Sequence, residues 1–450
     1  MKLWNAAITL LIASTTAAAQ QIQHDSLHPD DRYKADLLVV VAHPDDESEI
    51  GAYLARATFD EHRRIAVVFG TRGNSGGNEW GQEQASALGA IREIEGRRAL
   101  GFLGVYNVWF LDGPDTPGQD VLRSLETWDH GRALGRLVRI MRLTRPEVVA
   151  TWLPAYSAGE NHGDHQAAGV IATEAFDIAG DPSQYAEQVT PARDSRDISN
   201  LTEGLHPWQP QKLYYFSDAA HTDFLEGQGP RYSATAVSPA KNVSYAHLSA
   251  EECAFHLTQS DSGYAARLAL EKNDVKNTYF TEDSRFIFGK SHIPATKTGD
   301  LFEGVTQQAL AYIPAPGYTN SHKHDASLSL GGPWHFYAQF CPAHGVEQMT
   351  KLVPPEVLAG VNTMVAIPYL LTNTGTSATD AEVHVTAPSG WKVEYAGHRV
   401  NLKPGDTYAG RVVLTAAGHI SKEWQNITLN AGPLGTETVR VQVSQSSLPQ

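Results

Sequence analysis

The residues best suited to chemistry form one short run, His43-Pro44-Asp45-Asp46-Glu47, which directly follows a run of apolar residues. An imidazole and carboxylates placed close together are suitable ligands for Zn²⁺ or another divalent ion. Because Pro44 stiffens the turn, His43 and Asp46 can converge on one ion while Asp45 points elsewhere. The alternative interpretation is a polar turn in which an aspartate caps the following helix. Taken alone, the run leaves both interpretations open.

A second group of reactive side chains, His162, Asp164 and His165, follows another predicted strand at 147–152. If both strands are parallel, their carboxyl ends lie at the same edge of a sheet, and this group can add a third ligand. Two histidines and one carboxylate leave a position open for water, as in catalytic zinc sites. Capping by Asp164 is the alternative interpretation. Two such groups at matching places favour a shared metal site.

The elements that would position these groups alternate between short apolar runs and longer amphipathic runs from residue 36 to about 178. Strands are expected at 37–41, 65–69, 105–111 and 147–152, and helices at 50–57, 83–103, 132–143 and 165–178. Such alternation predicts a parallel sheet covered on both faces. The expected fold class is α/β, with a Rossmann-like, mostly parallel sheet. A further helix is expected at 250–272, in a less regular region.

From about residue 351 the pattern changes to short β-rich runs separated by turn signals such as Asn373-Thr374-Gly375. Strands are expected at 364–371, 381–387, 391–395, 411–416, 424–429 and 437–443. Evenly spaced strands without intervening helices predict an antiparallel, immunoglobulin-like β-sandwich over residues 346–450, after a catalytic domain at 20–345. The sandwich has its own turns and strand alternation, so we expect its removal to leave the chemistry of the metal site intact.

The overall composition excludes several classes of function. The 450 residues include 35 Lys and Arg against 50 Asp and Glu, a formal net charge of -15, without any Lys/Arg-rich run. This balance disfavours nucleic acid or an anionic membrane surface as the partner. No apolar stretch reaches the roughly 18–20 residues of a membrane span. Cys253 and Cys341 alone do not suggest a disulfide framework.

The N-terminus predicts export from the cytoplasm. Residues 1–19 combine a positive charge at Lys2, a short apolar stretch and an Ala-x-Ala cleavage signal. We therefore interpret this segment as a cleavable signal peptide and expect a secreted or periplasmic protein. A buried first helix is the alternative interpretation.

Together, these motifs resemble the LmbE-like/PIG-L family of zinc-dependent N-deacetylases. The resemblance spans roughly residues 36–180, with scattered positions up to about 260. It is carried by the run at 43–47, the Thr71-Arg72-Gly73 loop, Arg92, Glu95, the His162-Gly163-Asp164-His165 run and the His256-Leu257-Thr258-Gln259 segment. Two positions depart from the family pattern, with Asn74 where Glu is frequent and Gly163 where Pro is common. The first bears on substrate contacts, whereas the second leaves every reactive side chain in place.

The resemblance implies one Zn²⁺ per chain, held by His43, Asp46 and His165. It also implies that Asp45 is the general base and His162 the second active-site histidine. The zinc would lower the pKa of its bound water toward about 7, and Asp45 would take the proton as hydroxide attacks an amide carbon. The metal would stabilise the oxyanion, as would His162 if its ring is protonated, with Asp164 orienting His162.

The expected enzyme is a hydrolase that removes an N-acyl group, above all N-acetyl, from an amino sugar such as N-acetylglucosamine or from a glycoconjugate. Its substrate would be a small molecule or an oligosaccharide. Arg92 and Asp115 are candidate substrate-binding residues; a surface salt bridge is the alternative for Arg92, and an ordinary loop position for Asp115. The glycine-rich loop at 71–77 lacks the Gly-Lys-Ser/Thr ending of a phosphate loop, so we expect it to line the pocket.

Other functions remain open at this level. An amide hydrolase for a non-sugar substrate would keep the metal site and change only the pocket. A carbohydrate-binding protein with a vestigial metal site would use aromatic residues such as Trp391, Tyr395 and Trp424 as a sugar platform, although most of these are expected in the sandwich core. A metallophosphoesterase usually needs two metals, and this sequence offers ligands for one.

Overall fold

The computed structural model describes residues 29–157, 162–190, 204–219, 221–318 and 326–445. The expected signal peptide at 1–19 lies outside these residues. Within the described ranges, no helix combines the length and apolar character needed to cross a membrane.

The helices of the described chain are α1 (Gly51–Phe59), α2 (Ala85–Phe102), α3 (Val121–Thr127), α4 (His130–Thr144), α5 (Gly163–Ile178), α6 (Tyr245–Cys253), α7 (Ala265–Glu271) and α8 (Gly332–Ala343). The strands up to residue 291 are β1 (Leu37–Val41), β2 (Ile65–Phe69), β3 (Asn107–Phe110), β4 (Val148–Trp152), β5 (Lys212–Phe216), β6 (Arg231–Tyr232), β7 (Ser284–Arg285) and β8 (Ile287–Ser291).

The first domain is built on a six-stranded sheet in the order β3-β2-β1-β4-β5-β8. Its neighbouring strands are parallel except for the antiparallel pair β5–β8. Every residue of β1, β2, β4 and β5 is buried, because helices cover both faces of the sheet. The predicted α/β fold class is thus confirmed. Since β1 and β4 are neighbours, the loops that follow them meet at one edge.

The helix expected at 250–272 is interrupted. Helix α6 ends at Cys253, a π-helical turn covers Ser260–Tyr264, and α7 begins at Ala265. Between them, the backbone amide of Thr258 donates to Glu95, and the Gln259 side chain donates to the carbonyl of Pro44 at 2.6 Å. These contacts replace helical hydrogen bonds, because the segment is drawn toward the edge of the sheet.

The C-terminal strands are β9 (Ser327–Leu330), β10 (Glu356–Gly360), β11 (Met364–Thr372), β12 (Thr379–Ala381), β13 (His384–Thr386), β14 (Lys392–Tyr395), β15 (Val400–Leu402), β16 (Thr407–Thr415), β17 (Gln425–Asn430) and β18 (Thr436–Ser444). They form two four-stranded sheets, β10-β18-β17-β13 and β14-β16-β11-β9, and a short β12–β15 pair. Pairing within these sheets is antiparallel except for β10–β18, which is parallel. The expected extra sheet domain is therefore present.

The chain passes between the two cores more than once. Strand β9 pairs with β11 and contributes Leu328 and Leu330 to the sandwich core. Helix α8 then returns to the first core, where Phe340 is buried. The sandwich thus takes in a strand that precedes the boundary expected at 345/346, because residues 327–330 complete the edge of one sheet.

Candidate active site

Three side chains meet where β1 and β4 end. Nδ1 of His43 lies 3.3 Å from Nε2 of His165, and Oδ1 of Asp46 lies 3.3 Å from the same Nε2. The distance from that carboxylate oxygen to Nδ1 of His43 is 3.6 Å. Two imidazole nitrogens and one carboxylate oxygen are a donor set that suits Zn²⁺ and similar divalent ions. The structure therefore places the three predicted ligands in a candidate metal site.

Three hydrogen bonds to one oxygen of Asp46, Oδ2, orient its carboxylate. Its Oδ2 accepts the backbone N–H groups of Ala42 and His43 and the indole N–H of Trp152, at 2.8, 2.9 and 2.8 Å. This fixes the carboxylate and turns Oδ1 toward the histidines. Burial raises the pKa of Asp46, but His165 and His43 outweigh it and hold the pKa well below its usual range. The carboxylate of Asp46 is therefore ionised.

Each of the two histidines has a carboxylate on its outer side. Oδ2 of Asp164 lies 3.3 Å from Nε2 of His43 and accepts the N–H of Thr116. Oδ2 of Asp218 lies 3.0 Å from Nδ1 of His165. Such outer carboxylates fix the ring orientation of metal-binding histidines. Trp152 stacks on His165 with ring centres 4.4 Å apart and planes at 7°.

One of these contacts differs from the sequence expectation, and another was not anticipated by it. Asp164 does contact His162, but through its backbone N–H, whereas its carboxylate lies closer to His43 than to His162. The reason is that Asp164 is buried beneath the edge of the sheet, where the His43 ring also packs. Asp218 is missed by the sequence interpretation. It follows β5 at the same edge, so recognising that strand would have indicated it.

The raised pKa of His165 means that a bound metal would displace a proton from its ring. Burial lowers this pKa, but the carboxylates of Asp46 and Asp218 raise it to about 10. In the metal-free protein the imidazole therefore carries a proton at neutral pH. Because a metal ligand must be deprotonated, binding of an ion releases this proton.

His162 faces the site as a neutral imidazole. Its Nδ1 accepts the backbone N–H of Asp164 at 3.1 Å, which leaves the ring proton on Nε2. Burial and the nearby His43 lower the pKa of His162 to about 4. The sequence interpretation invoked a protonated ring; the structure instead favours a neutral ring with one N–H donor.

Asp45 points away from the metal ligands. Its backbone has φ of 114°, a strained conformation for a non-glycine residue. Its Oδ2 accepts the hydroxyl of Ser262 at 2.7 Å, and its amide donates to Oε2 of Glu47 at 2.9 Å. Burial and the charge of Asp46 raise the pKa of Asp45 to about 6. A carboxylate with a raised pKa beside a metal site has the properties of a general base.

These side chains line an open cavity of about 750 Å³. The wall includes Arg92 and Asp115 as well as the glycine loop. Arg92 is buried and donates to the carbonyls of Gly73 and Gly77 at 2.6 and 2.7 Å, so it holds the loop rather than forming a surface salt bridge. Oδ2 of Asp115 accepts the N–H of Ser75 at 2.7 Å, while its buried Oδ1 finds no hydrogen-bond partner among the residues that the structure describes.

A second group of ligand-type residues lies behind Asp45. We call Glu47, Glu252 and His256 the support cluster; all three are fully buried. Nε2 of His256 lies 2.9 Å from Oε1 of Glu47, and Ser48 donates to Glu252. Burial lowers the pKa of His256, but the two glutamates raise it to about 9. His256 is thus a packed residue, which lies just after the end of α6.

The two cysteines do not take part in this site. Cys253 and Cys341 are buried free thiols. Most of the three named aromatic residues of the sandwich were expected in its core, but only Trp391 is there, and Tyr395 is exposed because β14 has no buried residue. Trp391 is buried in the sandwich core, as expected, whereas Trp424 packs against His221 of the first domain with ring centres 5.9 Å apart.

Residues 38–176 match the family described as PIG-L, GlcNAc-PI de-N-acetylase. A 1D-myo-inositol 2-acetamido-2-deoxy-alpha-D-glucopyranoside deacetylase of Geodermatophilus obscurus is 34% identical over 33% of this chain and 54% of its own length. A mycothiol S-conjugate amidase of Streptomyces coelicolor is 31% identical over 40% of this chain and 59% of its own. The chain thus spans little more than half the length of these two relatives.

Among solved structures, the chain is similar to N,N'-diacetylchitobiose deacetylase from Pyrococcus horikoshii. The two are 17% identical with a TM-score of 0.39, and the match covers 57% of this chain and 84% of that one.

Proposed function

We propose, from the premise that residues 38–176 form a PIG-L family domain, that this protein is a metal-dependent N-deacetylase of amino sugars or glycoconjugates. One observation carries the proposal. The carboxylate of Asp45 lines the same cavity as His43, Asp46 and His165, yet it is bonded to Ser262 and stands apart from the ligand set. A metal site beside a carboxylate that is not one of its ligands is suited to the hydrolysis of an amide.

The metal would be held by His43, Asp46 and His165, and Zn²⁺ is the ion that we propose. When bound, it would supply Lewis-acid polarisation of the acyl carbonyl and acidify the attacking water. The donor set fits this ion because two neutral imidazoles and one carboxylate leave room for water and substrate oxygen. Asp164 and Asp218 would keep the two rings in the ligating orientation.

Asp45 is the proposed proton carrier. With a pKa of about 6 it is ionised at neutral pH and accepts the proton of the attacking water. The same carboxyl group then returns the proton to the leaving nitrogen, so that acetate and a free amine result. The hydrogen bond from Ser262 keeps the carboxylate pointed at the cavity rather than at the metal ligands.

His162 is the proposed donor to the developing oxyanion. Its Nε2 carries the proton because its Nδ1 already accepts a backbone N–H. A donor held in place before the reaction stabilises negative charge without a reorganisation cost. A low pKa of His162 is compatible with this role, because the neutral ring still donates one N–H.

The cavity supports a sugar-sized or larger substrate. Its volume of about 750 Å³ is within the range of small-molecule sites, and its wall carries polar groups on several sides. Asp115 lines this wall and holds the Ser75 backbone through Oδ2, so it would help to shape the cavity around the substrate. Arg92 would act indirectly, by fixing the loop from which Ser75 and Gly76 face the cavity.

A second candidate is an amide hydrolase for a non-sugar N-acyl substrate. The similarity to a mycothiol S-conjugate amidase supports it. The same metal site and base serve both reactions, and only the cavity wall would differ. For either reaction we propose export from the cytoplasm, which the N-terminal sequence pattern supports.

The test is a screen for acetate release over N-acetylated sugars, oligosaccharides and N-acyl amino acids, after metal removal and again after adding zinc. We expect release that depends on zinc and is highest for amino sugars. Zinc-dependent hydrolysis of the N-acyl amino acids alone would favour the second candidate. No release from any of these by zinc-loaded, folded protein would contradict both.

A further inference from the structure

A loop of the first domain connects the metal site with the sandwich. We call it the β5 loop, consisting in the described chain of Ser217–Ala219 and His221–Leu225. At its beginning, Oδ2 of Asp218 lies 3.0 Å from Nδ1 of the proposed ligand His165. Three residues further along, Nε2 of His221 lies 2.7 Å from Oε1 of Glu356, which belongs to β10 of the sandwich. One short segment thus touches both a ligand of the metal site and the second domain.

The sandwich end of this connection is rigidly built. Glu356 is fully buried and also forms an ion pair with Arg440, its register partner on β18. The Arg440 guanidinium lies 4.9 Å from the ring centre of Trp424, and that ring packs on His221. Displacing a buried carboxylate from a cationic partner is costly, because the charge then loses its compensation. His221 is therefore held in place by Glu356 and Trp424 of the sandwich.

We propose that Glu356 is a positioning residue for the metal site, acting through His221 and the β5 loop on Asp218. This inference rests on the proposed function, because it takes His165 as a metal ligand. The sandwich would then complete the support of the catalytic edge rather than serve as a separable accessory domain. Outer partners of metal-binding histidines typically contribute about 10–100-fold to metal affinity. Loosening the loop should cost a similar factor.

The β5 loop offers a matched control. Nδ1 of the same His221 lies 2.5 Å from Asp223, a residue of the loop itself whose side chain is 79% exposed. Glu356→Gln weakens the link to the sandwich, whereas Asp223→Asn changes only a contact within the loop. We expect Glu356→Gln to weaken zinc binding about tenfold or more and Asp223→Asn to change it less than about twofold. The measurement is zinc titration of metal-free protein against a competing chromophoric chelator.

Hydrogen exchange gives a readout without metal. Amides of the β5 loop should lose protection in Glu356→Gln, while amides of β17 at the sandwich core keep theirs.

If Glu356→Gln does not fold, His221→Ala tests the proposal instead, because Glu356 then still has Arg440 as a partner. His221→Gln retains a side-chain N–H donor and should recover much of the lost zinc affinity. The double variant His221→Ala/Glu356→Gln should be no weaker than either single variant.

Wild-type zinc affinity in folded Glu356→Gln and His221→Ala would overturn the proposal, even if these variants were less stable. Failure of the proposed function gives a different result. In that case the wild type binds zinc and the variants bind it more weakly, but no substrate releases acetate. If the folded wild type binds no zinc at all, the positioning role is overturned together with the metal site.

Discussion

The metal site and the support cluster contain similar residues but differ in what their side chains can still bind. In each, three histidine or carboxylate groups lie within metal-ligand distance of one another. His43, Asp46 and His165 line the cavity, and Oδ1 of Asp46 faces two ring nitrogens. The support cluster is fully buried, and none of its three residues lines the cavity. Access from the cavity, rather than the types of residue, therefore distinguishes the candidate metal site from the support cluster.

The largest effect should separate the two groups directly. His165→Ala removes one of the proposed ligands and should abolish stoichiometric zinc binding and acetate release. His256→Ala removes a histidine from the support cluster and should keep one zinc per chain. Elemental analysis of both purified variants after zinc reconstitution tests this comparison. Retained zinc in His165→Ala together with lost zinc in folded His256→Ala would mean that the ion lies in the other group.

The support cluster should matter for stability instead. His256→Ala leaves Glu47 buried without its cationic partner, which should lower the free energy of unfolding by about 3–5 kcal/mol. His256→Gln keeps an N–H donor for Glu47 and should lose distinctly less. Urea unfolding of metal-free protein measures the difference. Equal stability of the wild type and the alanine variant would show that the His256–Glu47 pair does not stabilise the fold.

A smaller effect is expected at Trp152. Its indole N–H binds Oδ2 of Asp46, while its ring stacks on His165. Trp152→Phe removes the donor and keeps an aromatic ring, so zinc affinity should fall about tenfold. Chelator competition tests this. Unchanged zinc affinity would mean that the two backbone N–H donors are sufficient to orient the carboxylate of Asp46.

The smallest effect is a pH dependence at the domain contact. Burial lowers the pKa of His221, but the carboxylates of Glu356 and Asp223 raise it above its ordinary value. The raised pKa means that this contact stabilises the folded protein fully below about pH 6.5 and loses its effect as pH rises through the folded-state pKa. The stability difference between the wild type and His221→Gln should therefore shrink as pH rises from about 6. A difference that grows with pH would contradict the assignment.

The sequence was sufficient for the features that depend on local pattern. The buried strands 37–41 and 148–152 are mostly apolar runs, and the polar turns that follow them indicated a shared candidate metal site, whose ligands were then assigned by the family resemblance. Contacts between segments that are distant in the sequence could not be predicted from it. Asp218 and the Thr258–Gln259 segment reach the site only because β5 and the region after α6 fold onto its edge. Arg92 was expected to bind substrate, and its contacts with two carbonyls of the glycine loop could be assigned only in three dimensions.

The most direct test uses the two neighbouring aspartates. Asp46 has Oδ1 directed at the proposed metal ligands, whereas Asp45 is bonded to Ser262 and lines the cavity. Asp45→Asn should retain one zinc per chain and lose about 10²–10⁴-fold in turnover, the usual contribution of a general base. Asp46→Asn should bind zinc weakly and regain part of its activity at high zinc. Zinc stoichiometry and turnover measured together decide the matter: loss of zinc in Asp45→Asn with retention in Asp46→Asn would contradict the account.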